Sequence, residues 1–536
     1  MTRVQTVQLR IASVAVALLS LCAVAMTAAA DDAINWGECP PITDGFPDIG
    51  QQQCALIPVP LDYRQPHGRK IDIAVSRIKA SDPTKRRGVL FLNTGGPGGM
   101  GLDAPHLATA LFPQSVLDAY DLIGFDPRGI GRSAPVTCGL TQEQAFQAFP
   151  QLEQSHSFAK TAEFARFVAD ACAGAMSDTL PFINTANTAR DMDVIRARLG
   201  ERTISYFAWS YGTYLGAVYA SLFPAHADRF VLDSAVNPDW PWREQFRHWG
   251  PGGEARFADF AAYAIANEAT LHLGRTADEV RALYFDLLAK SATNPISFAG
   301  FFVDAPTFRV LNFSFLYNDG SFPAMASLWQ AVRDGASDGT SAAPTGAAAA
   351  AGYPAIPEDN YSMSTGAVLC DDVAWPRSIE RYRWELQFDE HRFPMFGQLG
   401  SHIWSCAFWR VQPTEPLVNL TPHGPANHIL ILNTLRDPAT PLPGARRMRE
   451  SLGERSRLVL VDGGGHAIFG LMDNICATQT VAAYLADGHF PSADTTCPAN
   501  ASTAQDAKMF DTRARTDSTR EQAIEAALRQ MTPLHR

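Results

Sequence analysis

Seven short apolar runs constrain the fold of this chain more than any other feature. They are rich in β-branched residues and show little alternation between apolar and polar positions, which is typical of strands buried on both faces. Longer segments with helical spacing separate them, such as 188–200 and 211–223. This alternation predicts an α/β protein with a mostly parallel central sheet flanked by helices. The runs are residues 71–78, 88–93, 120–126, 203–210, 229–235, 428–434 and 457–463.

The alternation stops between about residues 240 and 425. This stretch is rich in Trp, Phe and Ala with helical periodicity, and it falls between the fifth and sixth apolar runs. An insertion at this point lies over the carboxyl ends of the strands, where open α/β sheets bind ligands. We therefore predict an inserted helical lid. Within it, residues 335–359 are of low complexity and are expected to form a mobile loop.

The N-terminus has the features of an export signal. Arg3 and Arg10 precede the apolar run IASVAVALLSLCAVAM, which is followed by small residues. This pattern predicts a cleaved signal peptide over residues 1–30 and a secreted or periplasmic protein without stable membrane insertion. A lipid anchor on Cys22 is the alternative, but Leu21 is bulky where such signals carry a small residue. The soluble exported form is therefore favoured.

Cysteine number agrees with export. Nine cysteines minus Cys22 in the leader leave eight, and an even number in an exported chain favours disulfides. No C-x-x-C pair or His/Cys cluster predicts a metal site. A net charge of −11 disfavours nucleic acid as a partner. The hypothesis is four sequence-local pairs, Cys39–Cys54, Cys138–Cys172, Cys370–Cys406 and Cys476–Cys497.

The stretch YFAWSYGTYLG, residues 206–216, places Ser210 where a strand pattern changes to a helical one. A G-x-S-x-G nucleophile elbow requires this context, because the Ser sits on a tight strand-to-helix turn. Gly212 is present, whereas Ala208 stands in the position of the first glycine. A methyl group is the smallest possible departure, so Ser210 remains a candidate nucleophile. The alternative is a serine in an ordinary buried turn.

Two further residues follow buried strands later in the chain. Asp437 comes after the sixth run, and His466 comes after the last run within a glycine-rich loop. α/β-Hydrolases carry their Ser, acid and His in this order. A Ser hydroxyl needs an imidazole to take its proton and a carboxylate to orient that imidazole. The sequence thus predicts an α/β-hydrolase fold with Ser210, Asp437 and His466 as the catalytic residues.

Other residues compete for two of these roles. Asp233 and Asp239 follow the strand after the elbow, where some hydrolases place the acid. His402, His423 and His428 are alternative bases. A lone His is more often structural, and none of these three lies in a glycine run after the last strand. Asp437 and His466 are therefore preferred.

The segment NTGGPGGMG, residues 93–101, follows a buried strand. It lacks the Lys–Ser/Thr pair of a phosphate-binding P-loop. In a hydrolase, such a loop brings a backbone amide to the oxyanion. The predicted donors are the amides of Gly96 and Tyr211, with Gly95 and Gly98 as alternatives to Gly96.

The loop GFDPRGIGRS, residues 124–133, also follows a strand. Asp126 and Arg128 have the chemistry of catalytic groups. We expect them instead to pair with each other and to shape the loop beside the site.

Taken together, NTGGPGG, GFDPRGIGRS, AWSYGTYLG, RDPATP and GGGH resemble the secreted tripeptidyl aminopeptidases, relatives of the proline iminopeptidases. Residues of about 400–500 are similar to the TAP-like C-terminal domain. The resemblance implies a serine exopeptidase that releases short peptides from free N-termini of oligopeptides, without metal or organic cofactor. Thr94, where relatives often carry His, and Ala208 depart from the family pattern. The organisation expected is a signal peptide (1–30), a first core part (31–239), a lid (240–425), a TAP-like core part (426–500) and a polar tail (501–536).

An aminopeptidase of this kind also needs an anion for the substrate ammonium group, and in the relatives the lid supplies carboxylates. Here the lid offers Glu244, Asp371 and Asp372. Asp372 is preferred because a bond between Cys370 and Cys406 would fix its segment. The alternative is that these acids are solvated at the lid surface.

Two other functions remain open at this stage. A carboxylesterase or lipid hydrolase would use the same triad, since fold alone does not decide function. A non-catalytic binding protein on a hydrolase scaffold is disfavoured by the complete set of Ser, Asp and His.

Overall fold

The computed structural model describes residues 34–41, 50–148, 157–337, 352–422, 428–472 and 474–499. The predicted signal peptide, with the alternative anchor site Cys22, lies outside these residues. So do His423, the polar tail and residues 338–351 of the low-complexity segment.

A nine-stranded sheet forms the centre of the described chain, in the order β1-β2-β4-β3-β5-β6-β9-β10-β11. β2 is antiparallel to both β1 and β4, and the remaining neighbours are parallel. The predicted α/β-hydrolase fold is confirmed by this topology. The strands are β1 (Gln53–Pro60), β2 (Lys70–Ile78), β3 (Gly88–Asn93), β4 (Tyr120–Phe125), β5 (Ile204–Trp209), β6 (Ala227–Asp233), β9 (His428–Arg436), β10 (Ser456–Gly464) and β11 (Thr495–Cys497), with a separate hairpin of β7 (Ile296–Phe298) and β8 (Phe301–Val303).

All seven apolar runs are strands of this sheet. Every residue of β3 and of β5 is buried, because helices cover both faces. β1 was not predicted, since its sequence QCALIPVP contains two prolines, which sheets accept at an edge. β11 and the β7–β8 hairpin strands have three residues each, too few for a periodic signal.

Helices cover the sheet on both sides. α5 begins three residues before the predicted segment, because the Asn184 side chain caps it by accepting the Asn187 amide. The α-helices outside the long connection between β6 and β9 are α1 (Ala104–Leu111), α2 (Gln114–Ala119), α3 (Gln142–Ala148), α4 (Phe158–Met176), α5 (Thr185–Arg198), α6 (Tyr211–Leu222), α16 (Leu442–Leu452) and α17 (Ile475–Asp487).

The chain between β6 and β9 is called the insertion below, and the regular elements of its described residues are helices and the β7–β8 hairpin, joined by loops. Its own core is aromatic, with Phe257, Phe260, Tyr284 and Trp329 fully or almost fully buried. Its α-helices are α7 (Arg243–Arg247), α8 (Trp249–Ala266), α9 (Glu268–Leu271), α10 (Ala277–Thr293), α11 (Ala305–Phe315), α12 (Phe322–Asp334), α13 (Asn360–Asp372), α14 (Ile379–Arg392) and α15 (Gly397–Ser401).

Four disulfide bonds cross-link the described residues, and they are the four pairs that the sequence predicts. One of them joins the end of α13 to the segment before β9. The bonds are Cys39–Cys54, Cys138–Cys172, Cys370–Cys406 and Cys476–Cys497.

Among the described helices, none combines the length and apolar composition needed to cross a membrane.

Candidate active site

Ser210 occupies the turn between β5 and α6. Its backbone has φ 58° and ψ −128°, in a region that residues other than glycine rarely adopt. Such strain persists only where the surroundings enforce it, and a strained strand-to-helix turn is what a nucleophile elbow requires. The Ser210 amide donates to the carbonyl of Asp233 at the end of β6, over 3.0 Å.

The two positions that flank the elbow explain why Ala208 is tolerated. A Cβ atom at Gly212 would lie 2.5 Å from Asn93 Oδ1 and 2.6 Å from the Ala208 methyl. Only glycine therefore fits at position 212. The methyl of Ala208 is accommodated because that neighbouring position carries no side chain, and Ala208 is fully buried.

Asp437 lies in the loop that follows β9, and its side chain is fully buried. Oδ1 accepts the amides of Ala439 at 2.8 Å and Thr440 at 2.7 Å. Oδ2 accepts the Thr440 hydroxyl at 2.8 Å. The carboxylate is thus held in one orientation by its own loop.

His466 follows β10, and its Nδ1 lies 3.0 Å and 2.9 Å from the two carboxylate oxygens of Asp437. The imidazole is 1% exposed, so the pair is shielded from solvent. A proton on Nδ1 bonded to the carboxylate leaves Nε2 as the basic nitrogen. The described residues contain no hydrogen bond between the Ser210 and His466 side chains, and such bonds often form only when substrate binds.

The alternative acids and bases have other surroundings. Burial raises the pKa of Asp233 to about 7, although its carboxylate accepts the amides of Ile468 and Phe469. Asp239 is half-exposed and pairs with Arg447.

Neither of the two described alternative histidines lies beside Asp437. His402 is buried within the insertion, where burial lowers its pKa to about 3. His428 begins β9, at the opposite end of that strand from Asp437, and its ring stacks on Phe490.

The backbone amides near Ser210 differ in their availability. The Gly95 amide donates to Asn93 Oδ1 at 3.0 Å and is therefore engaged. The Gly96 amide has no hydrogen-bond acceptor among the described residues. Tyr211 is the first residue of α6, and first-turn amides have no partner within a helix. Gly96 and Tyr211 both line the cavity at Ser210, whereas Gly98 does not.

This cavity, called the Ser210 cleft, has a volume of about 590 Å³ including its opening to solvent. Aromatic side chains dominate its wall, and the insertion contributes most of them. None of the described residues that line the cleft carries a charged side chain. The aromatic lining residues are Tyr211, Trp242, Phe246, Trp249, Tyr317 and Tyr361.

Asp372 lies behind this wall rather than in it. Its carboxylate accepts Trp242 Nε1 at 3.0 Å and the Thr185 hydroxyl at 2.6 Å. The Thr185 hydroxyl lies 2.6 Å from the hydroxyl of Tyr211. Burial raises the pKa of Asp372 to about 6 in spite of these hydrogen bonds.

The other two predicted substrate-binding acids have partners other than the Trp242 indole. Asp371 is buried, which raises the pKa of its carboxyl, and its Oδ1 accepts Trp409 Nε1 at 2.7 Å. Glu244 lies on α7, is half-exposed, and pairs with Arg247 at 3.2 Å. None of the three acids is among the described residues that line the cleft.

Comparison with known proteins decides the family. Residues 393–497 match the family model described as TAP-like protein. The tripeptidyl aminopeptidase of Streptomyces lividans is 34% identical over 504 residues, covering 89% of this chain and 89% of that protein. The chain belongs to the tripeptidyl aminopeptidase family. The resemblance read from the sequence motifs is thereby confirmed.

The chain is also similar to proteins with other names. Serine protease Hip1 of Mycobacterium tuberculosis is 28% identical and covers 87% of this chain and 91% of its own. Carboxylesterase B of the same organism is 30% identical and covers 86% of this chain and 89% of its own.

In this tripeptidyl aminopeptidase family member, the expected pairing of Asp126 with Arg128 is wrong. The Arg128 guanidinium bonds instead to Asp191 on α5, at 2.6 Å and 2.7 Å. Asp126 accepts the amides of Gly101 and Leu102 and so fixes the end of the glycine-rich loop. Asp126 and Arg128 are two positions apart in sequence, but each binds a partner in a different part of the chain.

Sequence reasoning missed two residues at the site of this family member. Thr440 bonds Asp437 and also lies 3.3 Å from His466 Nδ1. Its place three residues after Asp437 was the available signal. The carbonyl of Tyr317, in the insertion, accepts the His466 amide at 2.8 Å, and the two rings lie 4.8 Å apart. No local sequence signal marks that contact.

Proposed function

We propose that this protein is an exported serine exopeptidase that releases short peptides, with tripeptides as the expected unit, from the free N-termini of oligopeptides. The observation that carries the proposal is the buried Asp437–His466 pair on the loops beside the strained Ser210, in a member of this family. Four disulfides accord with an extracytoplasmic location.

In the proposed mechanism, each of these groups has a separate step. His466 Nε2 takes the proton of Ser210 as the hydroxyl attacks the peptide carbonyl, and Asp437 stabilises the imidazolium. The amides of Gly96 and Tyr211 receive the developing oxyanion, and the positive end of α6 adds to their effect. His466 then protonates the leaving amine, and water hydrolyses the acyl-Ser210 ester by the reverse sequence.

In this proposal, the aromatic wall of the Ser210 cleft binds the free N-terminus of the substrate. A cation over an aromatic face gains about 0.5–2 kcal/mol, more where water is excluded. Asp372 supports this from behind, because its carboxylate is bonded to the Trp242 indole and, through Thr185, to Tyr211. We thus place Asp372 as a counter-charge for the ammonium group, separated from it by the Trp242 ring.

A carboxylesterase or lipid hydrolase is the second candidate. An uncharged, aromatic cleft suits an acyl chain as well as a peptide. The similarity to a protein named carboxylesterase B points the same way. This candidate uses the same three residues and differs in not requiring a free amine.

A matched reporter panel separates the two candidates. It comprises mono-, di- and tripeptidyl amides with free N-termini, their N-acetylated twins, and short-chain nitrophenyl esters, tested with the mature protein and with Ser210→Ala. We expect hydrolysis of the free-amine peptides alone, strongest for one peptide length, and its loss in the variant. Equal rates on acetylated peptides and esters would establish the esterase, and inactivity on all reporters would refute both.

The role of Asp372 has its own test. Asp372→Asn removes the charge and leaves one amide oxygen, which can accept the Trp242 and Thr185 side-chain hydrogen bonds but not also the Thr185 backbone amide that Asp372 Oδ1 accepts at 2.7 Å. We expect KM to rise several-fold for free-amine peptides and to stay unchanged for nitrophenyl esters. Glu244→Gln serves as the control, because Glu244 is a half-exposed acid of the insertion outside the cleft. An equal rise of KM for both substrate classes would contradict the assignment.

A further inference from the structure

Helix α8 of the insertion packs directly on the loop that carries Asp437. A Cβ atom at Gly252, in the first turn of α8, would overlap the carbonyl oxygen of Pro438, so only glycine permits this approach. The Trp249 indole donates to the carbonyl of Ala439 at 3.0 Å. The backbone of α8 is therefore fixed against the backbone of the acid loop.

One turn further along α8 lies Arg256, whose side chain is 1% exposed. Its Nη1 pairs with Asp259 Oδ2 at 2.5 Å, and Asp259 also accepts Arg436 Nε at 2.9 Å. Arg436 is the residue immediately before Asp437. We call Arg256, Asp259 and Arg436 the Arg256 cluster.

The same guanidinium reaches the histidine loop by two routes. Arg256 Nε donates to the carbonyl of Leu316 at 2.9 Å, and the next residue, Tyr317, accepts the His466 amide at 2.8 Å. A Cβ atom at Gly464 would lie 2.5 Å from Arg256 Nη1, so the strand end before His466 packs directly on the guanidinium. Arg256 therefore contacts the supports of both loops.

We propose that Arg256 and Asp259 are positioning residues that hold His466 and Asp437 in register with each other and with Ser210. This inference rests on the proposed catalytic roles of those three residues. Charged groups bonded to fixed backbone carbonyls and to a second ion pair have few alternative arrangements. A displacement of about 1 Å at reacting groups costs roughly a hundredfold in rate, so a cluster of this kind acts on turnover.

A purely structural role for the cluster makes a different prediction. Ion pairs that only fasten the insertion to the sheet would, when broken, lower the melting temperature and the fraction of active protein. Each remaining active molecule would turn over normally. A positioning role lowers kcat per active molecule and leaves KM nearly unchanged, because the aromatic wall of the cleft is intact.

The test uses Arg256→Gln, Arg256→Lys and Asp259→Asn in the full mature chain. The control is Arg281→Gln, which breaks the 2.6 Å pair between Arg281 on α10 and Glu254 of the same helix α8, and Glu254 bonds also to the Met395 amide rather than to either loop. Active molecules are counted with a fluorophosphonate that labels Ser210, and the second-order labelling rate is measured across pH. Peptide kcat and KM are then expressed per active molecule.

We expect Arg256→Gln to lower both the labelling rate and kcat at least tenfold, with KM within about twofold and a displaced pH profile of labelling. Arg256→Lys should recover part of the loss, and Arg281→Gln should match the wild-type protein. If Arg256→Gln does not fold, Asp259→Asn carries the same expectation, because it uncouples Arg436 from Arg256 and retains the buried guanidinium.

Two results would overturn the inference. One is an unchanged labelling rate per active molecule in the folded Arg256 and Asp259 variants. The other is an equal loss in Arg281→Gln. Labelling does not require a peptide substrate, so either result leaves the exopeptidase proposal intact. A wild-type protein that the probe does not label at Ser210 would overturn the proposed function and this inference together.

Discussion

The carbonyl of Asp233 accepts the amide of Ser210 over 3.0 Å. The carboxylate of the same residue accepts the amides of Ile468 and Phe469, just beyond His466. One residue at the end of β6 therefore fixes both the elbow and the histidine loop, using its main chain for the first and its side chain for the second. These contacts give Asp233 a role in the geometry of the site, although it is not among the described residues that line the Ser210 cleft.

A buried carboxyl of this kind makes stability depend on pH. Burial raises the pKa of Asp233 from 3.8 to about 7, so between these values the folded protein binds the proton more tightly than the unfolded chain. Stability from this group is present at low pH and is lost as pH rises towards 7, with an upper limit of about 4 kcal/mol. The free energy of unfolding, measured with urea, should therefore fall more between pH 4.5 and pH 7.5 for the wild-type protein than for Asp233→Asn.

The difference in pH dependence between the wild-type protein and Asp233→Asn isolates the contribution of Asp233. Asp371 and Asp372 also have raised pKa values, but they are present in both proteins and cancel in the difference. Parallel pH dependence of the wild-type protein and the variant would show that Asp233 does not titrate in this range.

Thr440 provides a test of the acid loop. Thr440→Val keeps the shape of the side chain and removes the hydroxyl that donates to Asp437 Oδ2 at 2.8 Å. A hydrogen bond to a charged group contributes about 1.5–3 kcal/mol, so kcat should fall roughly ten- to a hundredfold if the loss falls on the transition state. Steady-state kinetics with the best peptide reporter measures the effect.

Thr440→Ser is the control for that substitution, because it restores the hydroxyl while removing the methyl group. Its kcat should lie within a few-fold of the wild-type value. If the Val and Ser variants were equally impaired, packing of the methyl group rather than the hydrogen bond would explain the defect.

The aromatic, uncharged lining of the cleft predicts discrimination against acidic side chains. A Glu carboxylate in the released peptide would lose hydration without meeting a cation among the described lining residues, and Asp372 lies behind the wall. Replacing Gln by Glu next to the scissile bond should lower kcat/KM more than about tenfold. Competition between the two isosteric peptides, followed by mass spectrometry, gives the ratio directly, and a ratio near one would contradict this view of the cleft.

Much of the fold could be predicted because its signals are local. The seven apolar runs are strands, of which β3 and β5 are buried along their whole length, and the Cys pairs are close in sequence. The proline-containing β1 was not predicted, because it is stabilised by pairing with β2 over its whole length rather than by its own composition.

The candidate site could likewise be predicted only where its signals are local in sequence. Ser210, Asp437 and His466 could be named as candidates from their places after strands, whereas the hydrogen-bond partners of Asp372 could not be predicted, because Thr185 and Trp242 lie far away in sequence. The hydrogen bond between the Tyr317 carbonyl and the His466 amide joins the insertion to the loop after β10, and the two residues lie far apart in sequence. Contacts of this kind depend on how the insertion packs, which residue patterns do not encode.

Trapping the acyl-enzyme would test the central claim most directly. The mature protein is mixed with a free-amine tripeptidyl nitrophenyl ester or its N-acetylated twin, quenched in acid within the first turnovers, and mapped by peptide mass spectrometry. We predict the mass of the tripeptidyl group on the peptide that contains Ser210, and only with the free-amine substrate. Acylation of another residue, or equal acylation of Ser210 by the acetylated twin, would contradict the account.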